Sequence, residues 1–170
     1  METYRIRLRI HSGTLTPFQA DTVFGHLCWI VARREGERGL EEFLRPFREE
    51  DPPFLISDGF SGDLLPKPLS AEINIDDPSE RKEMKRLEFM NLVDFEAARL
   101  GKKTKPLFRE THVTTLRTLH SAISRDTQRT LSEGGLYSLE ETHVPAITIY
   151  IKTVSEAWET RVVDLFRELS

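Results

Sequence analysis

The chain has 170 residues and a formal net charge of −4, with 38% hydrophobic and 31% charged residues, a balance typical of one globular domain with a core. No apolar run approaches the about 20 residues that cross a bilayer, and the N-terminus lacks the continuous apolar segment of a secretory signal. Cys28 is the single cysteine, which excludes an internal disulfide, so we expect a reducing, cytoplasmic location.

The charge is unevenly distributed along the chain. It sums to about +3 over residues 1–34, about −8 over 35–100, about +5 over 101–130 and about −4 over 131–170. Two basic segments that flank an acidic middle are compatible with one face for phosphate and another for a protein partner. Ordinary surface variation is the alternative interpretation.

The first predicted elements are a strand and two helices. Residues 4–10 (YRIRLRI) alternate strictly, which predicts a strand with its arginines on one exposed face. Residues 16–19 (TPFQ) resemble a capping box, so a helix should begin near Pro17, and apolar residues then recur at three- and four-residue spacing. The glycines of REGERG (34–39) should end this helix, and a second short helix is predicted over 40–48.

The middle of the chain is predicted to be irregular and then helical. PFLISDGF (53–60) is typical of a short strand and a turn, and the two prolines of SGDLLPKPLS (61–70) argue against regular structure. Residues 79–100 are rich in Glu, Lys, Arg, Leu and Met and are closed by Gly101, which predicts a long helix. We interpret about 77–101 as a helical insertion.

The last part of the chain predicts a hairpin, a strand and a helix. Between two strand-like runs, residues 123–137 (ISRDTQRTLSEGGLY) are polar with a Gly-Gly turn. We call this segment the finger and predict a protruding hairpin over about 112–141. AITIYIKT (146–153) predicts a strand, and Ser155 should cap a final helix. This α+β order is nearly βαββαβ, a ferredoxin-like fold, without its last strand.

Three stretches carry a resemblance to a known family. Residues 11–29 contain an ADT-x-F-x-x-L helix start, and residues 53–70 contain an acidic turn and an LPKPL loop. In residues 122–137 the matching positions are Arg125, Thr127, Glu133, Gly134, Leu136 and Tyr137. Together they resemble the RAMP superfamily of CRISPR proteins, most closely the Cas5-like fourth Csm subunit of type III-A effector complexes. The resemblance covers most of residues 4–151.

The resemblance implies an RRM-like RAMP domain with a β-hairpin thumb. In the family, this subunit caps the base of the effector and holds the 5′ handle of the crRNA, with target RNA nearby. It contacts the large polymerase–cyclase subunit and the backbone subunit, and it is not known as the nuclease. We therefore expect an RNA-binding, non-catalytic subunit of antiviral defence without a cofactor. Family members carry a second RAMP domain, and residues 1–170 are expected to hold only one.

The candidate RNA contacts lie in the finger, the first helix and the proline loop. Arginine forks pair with phosphate, hydroxyls bond phosphate or the ribose 2′-OH, and Ile123 or Leu131 would wedge between bases at a tip. The first helix offers unpaired N–H groups and a glycine, which favours either close approach of RNA or close packing against a sheet. The predicted RNA-binding residues are Thr22, Gly25, His26, Lys67, Arg117, Ser121, Ile123, Ser124, Arg125, Thr127 and Arg129.

Two other functions stay open. The five histidines form no HxxxH, HExxH or Cys/His motif, so no metal site is predicted. A RAMP endoribonuclease that processes crRNA would need a histidine and a cationic neighbour, such as His26 or His120 with Arg125 or Tyr137. A protein-docking module with idle polar loops is the third interpretation. Trp29 and Trp158 are interpreted as packing residues.

Overall fold

The computed structural model describes residues 2–68, 82, 89–102, 108–109, 113–131 and 135–169, and over these residues the chain is an α+β protein. The strands are β1 (Glu2–Arg9), β2 (Phe54–Ile56), β3 (Phe60–Ser61), β4 (Leu64–Pro66), β5 (Phe89–Asn91), β6 (Phe108–Arg109), β7 (Thr114–Ser121), β8 (Leu136–His143) and β9 (Ala146–Thr153). The helices are α1 (Ala20–Arg48), α2 (Leu92–Arg99) and α3 (Glu156–Arg167). None of these three helices is long and apolar enough to cross a membrane.

The chain divides into two compact units. Unit 1 comprises Met1–Leu8, Phe18–Asp63 and Ile147–Ser170, and unit 2 comprises Arg9–Pro17 and Leu64–Ala146. Unit 1 contains helices α1 and α3 and a sheet of order β1-β9-β2, in which β3 also pairs with β9. Unit 2 contains helix α2, a β4-β5-β6 sheet and a two-stranded β7-β8 ribbon. Eleven of the 25 residues of the predicted insertion (77–81 and 83–88), with residues 132–134 of the finger, lie outside the described residues.

The strand predicted from the β-branched run, β9, is the central strand of unit 1. Its residues Ile147, Ile149 and Ile151 are at most 1% exposed. On β1 the arginines are exposed and the alternate residues are half-buried, which confirms the predicted alternation. One of these inward residues is Tyr4, where burial and the charge of Glu159 raise the pKa of the phenol to about 12.

An aromatic cluster forms the core of unit 1. Neighbouring ring centroids lie 4.9–6.1 Å apart. The members are Phe24, Phe43 and Phe47 of α1, Phe54 of β2 and Trp158 of α3. Trp158 is therefore a packing residue, as predicted. The backbone N–H of the same residue donates to Ser155 Oγ at 3.4 Å, which confirms the predicted cap of α3.

Helix α1 consists of two helical segments that meet at a kink, which confirms the predicted interruption within REGERG. The kink lies at Gly36, whose φ of +74° is non-helical and accessible to glycine at little cost. The predicted capping box is wrong, because the helix begins at Ala20 and the Gln19 side chain makes no cap hydrogen bond. The acceptor comes instead from a distant turn, where Asp58 Oδ1 accepts from the Ala20 N–H at 2.7 Å.

The long helix predicted over 79–100 is wrong at Phe89–Asn91. These residues form β5, which places Met90 opposite Leu65 of β4, and both side chains are buried. The described helix begins only at Leu92, where Asn91 Oδ1 accepts from the Asp94 N–H at 2.9 Å. The proline loop likewise starts with a short strand, β4, which its prolines did not predict.

Candidate nucleic-acid interface

The finger extends from a ribbon whose side chains are mostly exposed. Strands β7 and β8 pair antiparallel along their length, from Thr114 opposite His143 to Ser121 opposite Leu136. Leu136 is 72% exposed, and Leu119 is 80% exposed. A ribbon that buries so little of either face is stabilised mainly by its own backbone ladder and cross-strand pairs. Both faces are consequently available to a ligand.

Beyond the ribbon the chain turns through a smaller hairpin, residues 123–131, which we call the tip. Ile123 and Thr130 form an isolated bridge, and the Ser124 N–H donates to the Arg129 carbonyl at 2.9 Å. The Gln128 N–H donates to the Ser124 carbonyl at 2.8 Å, and Gln128 adopts φ +52°. These bonds fix the four intervening residues as a defined turn rather than a loose loop.

A glycine closes the base of the tip by close approach. A Cβ on Gly135 would lie 2.2 Å from the Leu131 carbonyl oxygen, a distance that no side chain tolerates. The Gly135 carbonyl accepts from the Ala122 N–H at 2.7 Å, so the two sides of the finger meet here. The second glycine of the predicted turn, Gly135, is thus required because no side chain fits at this position.

The tip presents two exposed arginines, Arg125 and Arg129, with exposed Thr127 between them. Neither arginine forms an ion pair with a residue in the described part of the chain. Ile123 and Leu131 are 63% and 47% exposed at its base. Uncompensated guanidinium forks are suited to phosphate, and exposed aliphatic side chains beside them are suited to base faces.

Three other predicted contacts in this region have different surroundings. Ser124 Oγ accepts from the Thr127 N–H at 3.4 Å, so this hydroxyl supports the turn. Arg117 and Ser121 lie on β7, about 13 Å apart by strand rise. The Arg117 guanidinium pairs with Glu140 directly opposite. Both partners are exposed, and such a pair contributes less than about 1 kcal/mol, so phosphate can replace the carboxylate.

The opposite face of the ribbon holds a polar network that sequence interpretation identified only in part. His120 stacks on Tyr137 with centroids 5.5 Å apart, and its Nε2 lies 2.9 Å from Thr118 Oγ1. Glu141 lies between His120 and His143, 3.9 and 3.5 Å from their Nε2 atoms. These separations are longer than the about 2.6–3.2 Å over which a proton passes directly between two groups, although two imidazoles on one face could each serve a bound substrate. Within the described ranges, no group of three or more His, Cys, Asp or Glu is arranged to hold a metal ion.

Thr22, Gly25 and His26 lie together on the exposed face of α1. Among the described residues, apart from its chain neighbours and the backbone of its own helix, no atom lies within 4 Å of a Cβ built on Gly25, so the close-packing interpretation of this glycine is wrong. N–H groups at the helix start are occupied by the carboxylates of Asp58 and Asp21, at 2.7 and 2.6 Å. These charges oppose phosphate binding at the helix N-terminus, and the three predicted contacts lie on the exposed face of the helix instead.

The same helix face continues with two residues that sequence interpretation missed. Trp29 is 61% exposed, so its interpretation as a packing residue is wrong. The guanidinium carbon of Arg33 lies 5.3 Å from the Trp29 ring centroid. Trp29 and Arg33 continue the three- and four-residue spacing that begins at Thr22, and this spacing could have indicated that they share its exposed helix face. We call the set the α1 stripe: Thr22, Gly25, His26, Trp29 and Arg33.

The last predicted contact, Lys67, is half-buried directly after β4. Prolines at 66 and 68 restrict the backbone on both sides of it, as the sequence indicates. The predicted contacts are divided between the two units: Thr22, Gly25 and His26 belong to unit 1, and Lys67 and the finger residues belong to unit 2.

Two glycine substitutions should have opposite effects on stability. A Cβ on Gly59 would lie 2.7 Å from Phe18 Cβ and 2.8 Å from Ile147 Cδ1, so Gly59→Ala should lower the free energy of unfolding by about 1–3 kcal/mol. Gly25→Ala places a methyl group in open space on a helix and should raise it by about 0.5–1 kcal/mol. Urea unfolding followed by circular dichroism measures both, and a Gly59→Ala midpoint at the wild-type value would contradict the described contact.

The fold is similar to that of chains in crystal structures of Csm1–Csm4 cassettes. The cassette in complex with cA4 contains a chain that matches with a TM-score of 0.68 and 23% identity, over 99% of this chain and 66% of that chain. The cassette in complex with pppApA gives the same values, and the one with one ATP gives a TM-score of 0.68 and 19% identity. The chain thus spans about two thirds of the length of these chains. No protein-family model and no curated protein matches it.

At this level of identity, the match establishes the fold. It agrees with the three sequence motifs, which resemble RAMP proteins at residues 11–29, 53–70 and 122–137. The chain therefore has the fold of a chain of the Csm1–Csm4 cassette.

Proposed function

We propose that this chain is a non-catalytic subunit of a type III-A CRISPR effector, the Csm complex, and that it binds the 5′ handle of the crRNA. In this proposal it is a ferredoxin-like RAMP subunit, and the finger is the thumb that contacts RNA where the handle meets the guide. The observation that carries the proposal is the exposed tip, in which Arg125 and Arg129 have no carboxylate partner among the described residues. Phosphates of a bent RNA strand would provide those partners.

The partners follow from the same proposal. The matched chains come from cassettes named for Csm1 and Csm4, which supports docking to a large polymerase–cyclase subunit. We infer that the subunit caps the base of the complex beside the backbone subunit, with target RNA nearby, and acts in cytoplasmic antiviral defence. The acidic balance of residues 35–100, about −8, favours protein neighbours over RNA for the surfaces that this segment forms.

A second candidate function is metal-independent cleavage of crRNA precursors. The network of His120, Glu141 and His143 favours it, because one imidazole would take the proton of a ribose 2′-hydroxyl and another would protonate the leaving 5′-oxygen. Against it, His120 Nε2 is already engaged with Thr118 Oγ1 at 2.9 Å. Binding without cleavage is therefore the function that the geometry supports best.

The purified chain should bind repeat-sequence RNA and leave it intact. Binding measured by fluorescence anisotropy at increasing salt should weaken with a logarithmic slope of about −0.7 for each phosphate contacted. DNA of the same sequence should bind more weakly, because hydroxyls such as Thr127 can bond the 2′-OH. Gel analysis of the same mixtures reports cleavage.

The outcomes separate the three functions. Salt-dependent binding with intact RNA supports the handle-binding subunit. Cleavage that disappears in His120→Ala would replace it with the endoribonuclease. Neither binding nor cleavage would leave a protein-docking module.

A further inference from the structure

We propose that the α1 stripe is a stacking platform for single-stranded RNA, in which Trp29 holds one nucleobase and Arg33 holds an adjacent phosphate. The inference rests on the proposed function for its ligand, RNA. It concerns residues that belong to unit 1, whereas the finger belongs to unit 2.

Exposure of Trp29 is the first observation. The opposite side of the same helix is a buried stripe in which Val23 and Leu27 are 5% and 0% exposed. Trp29 is 61% exposed, although a tryptophan side chain in a core would remove a large apolar area from water. A large exposed ring on a rigid helix is therefore an unfilled contact surface rather than part of the core.

The surroundings of the ring make it a base platform. Arg33 lies over the ring at 5.3 Å and has no ion-pair partner in the described part of the chain, whereas Arg34 beside it pairs with Glu168 at 3.0 Å. A guanidinium stacked on an aromatic face holds the ring and keeps its own charge for phosphate. Helical side chains lean toward the N-terminal turn, so the ring extends toward Gly25, where the surface is open.

The composition of the α1 stripe favours RNA over a protein as the occupant. Its members include one cation, one imidazole and one hydroxyl but no carboxylate, which complements a polyanion. A protein hot spot sits within a ring of contacts that excludes water, whereas Trp29 is surrounded on this face by a glycine and polar side chains. Base stacking needs only one free aromatic face and is tolerant of sequence, with cationic side chains tracking the backbone.

Tryptophan fluorescence tests this directly, because the chain has two tryptophans and Trp158 lies in the aromatic core. A short single-stranded oligoadenylate should quench the fluorescence of the wild-type chain, and Trp29→Phe should abolish the quenching.

Trp29→Ala should weaken binding about 5- to 100-fold, and Trp29→Phe should retain most of the affinity because its ring still stacks. Arg33→Ala should weaken binding and reduce the salt slope by about 0.7. Arg38→Ala is the matched control, since Arg38 is an exposed arginine of α1 that pairs with Glu42.

Each result decides between the alternatives. RNA binding without quenching, and with affinity unchanged in Trp29→Ala, would overturn the platform while leaving the finger proposal intact. Loss of affinity only for a protein subunit of the complex would also overturn it and make the α1 stripe a protein contact. Absence of RNA binding by the wild-type chain would overturn both this inference and the proposed function. Equal loss in Arg38→Ala would show that general charge, not the α1 stripe, carries the effect.

Discussion

Replacing Arg125 and Arg129 together by alanine is expected to weaken binding of repeat RNA about 10- to 100-fold. Both guanidinium groups are exposed at the tip and have no ion-pair partner among the described residues, so phosphate can bind them without displacing a carboxylate of that part of the chain. A hydrogen bond to a charged group contributes about 1.5–3 kcal/mol where water is excluded, and less where solvent screens it. The logarithmic salt slope should fall by about 1.4, because two phosphate contacts are lost.

The fold of the finger should survive this double substitution. The turn is held by backbone bonds between Ser124, Gln128 and Arg129, and none of them involves a guanidinium. The matched control is Arg38→Ala with Arg48→Ala, which removes the same charge from an exposed part of α1 near Glu41 and Glu42. Anisotropy titrations at several salt concentrations compare the variants. If the finger variant and the control bind alike, the tip does not hold RNA.

The elements that the sequence predicted well are those whose signal is local. Alternation in β1, the β-branched run of β9 and the Ser155 cap of α3 each follow from neighbouring residues, and each is present. The strand at Phe89–Asn91 could not be predicted from its neighbouring residues. Its residues follow a helix-favouring stretch, and they are extended because they pair with β4 and β6, which lie far along the chain.

The exposed residues of the candidate site could be predicted where residue type alone indicates an exposed position. Prediction was less accurate where contacts with distant parts of the chain decide how a segment begins or which side chains are exposed. The hydroxyls and arginines of the finger indicated an exposed turn, and the described turn places them there. The start of α1 was misread, since residues 16–19 (TPFQ) resembled a capping box, whereas the carboxylate of Asp58 in a distant turn accepts from the first helical N–H. Trp29 was misread because its residue type was given more weight than its position on the helix. Residue type favours burial for tryptophan, and only the position on the helix places it in solvent.

Phe43→Ala is expected to have the largest effect on stability, lowering the free energy of unfolding by about 3–5 kcal/mol. The Phe43 ring is fully buried and lies within 6.1 Å, centroid to centroid, of the rings of Phe24, Phe47, Phe54 and Trp158. Removing it leaves a cavity bounded by rigid rings from three elements, which cannot collapse easily to fill the space.

The substitution also removes the ring over which Arg161 lies, with the guanidinium carbon 5.3 Å from its centroid. Leu55→Ala is the control, because Leu55 lies on β2 beside Phe54 but is 52% exposed, and its loss should change stability by about 0.5 kcal/mol or less. Urea midpoints of both variants decide the matter, and similar midpoints would mean that the cluster does not hold α1 against the sheet. Since the α1 stripe is the outer face of the helix that this cluster anchors, Phe43→Ala should also abolish quenching of Trp29 by RNA at urea concentrations that leave the wild-type chain folded.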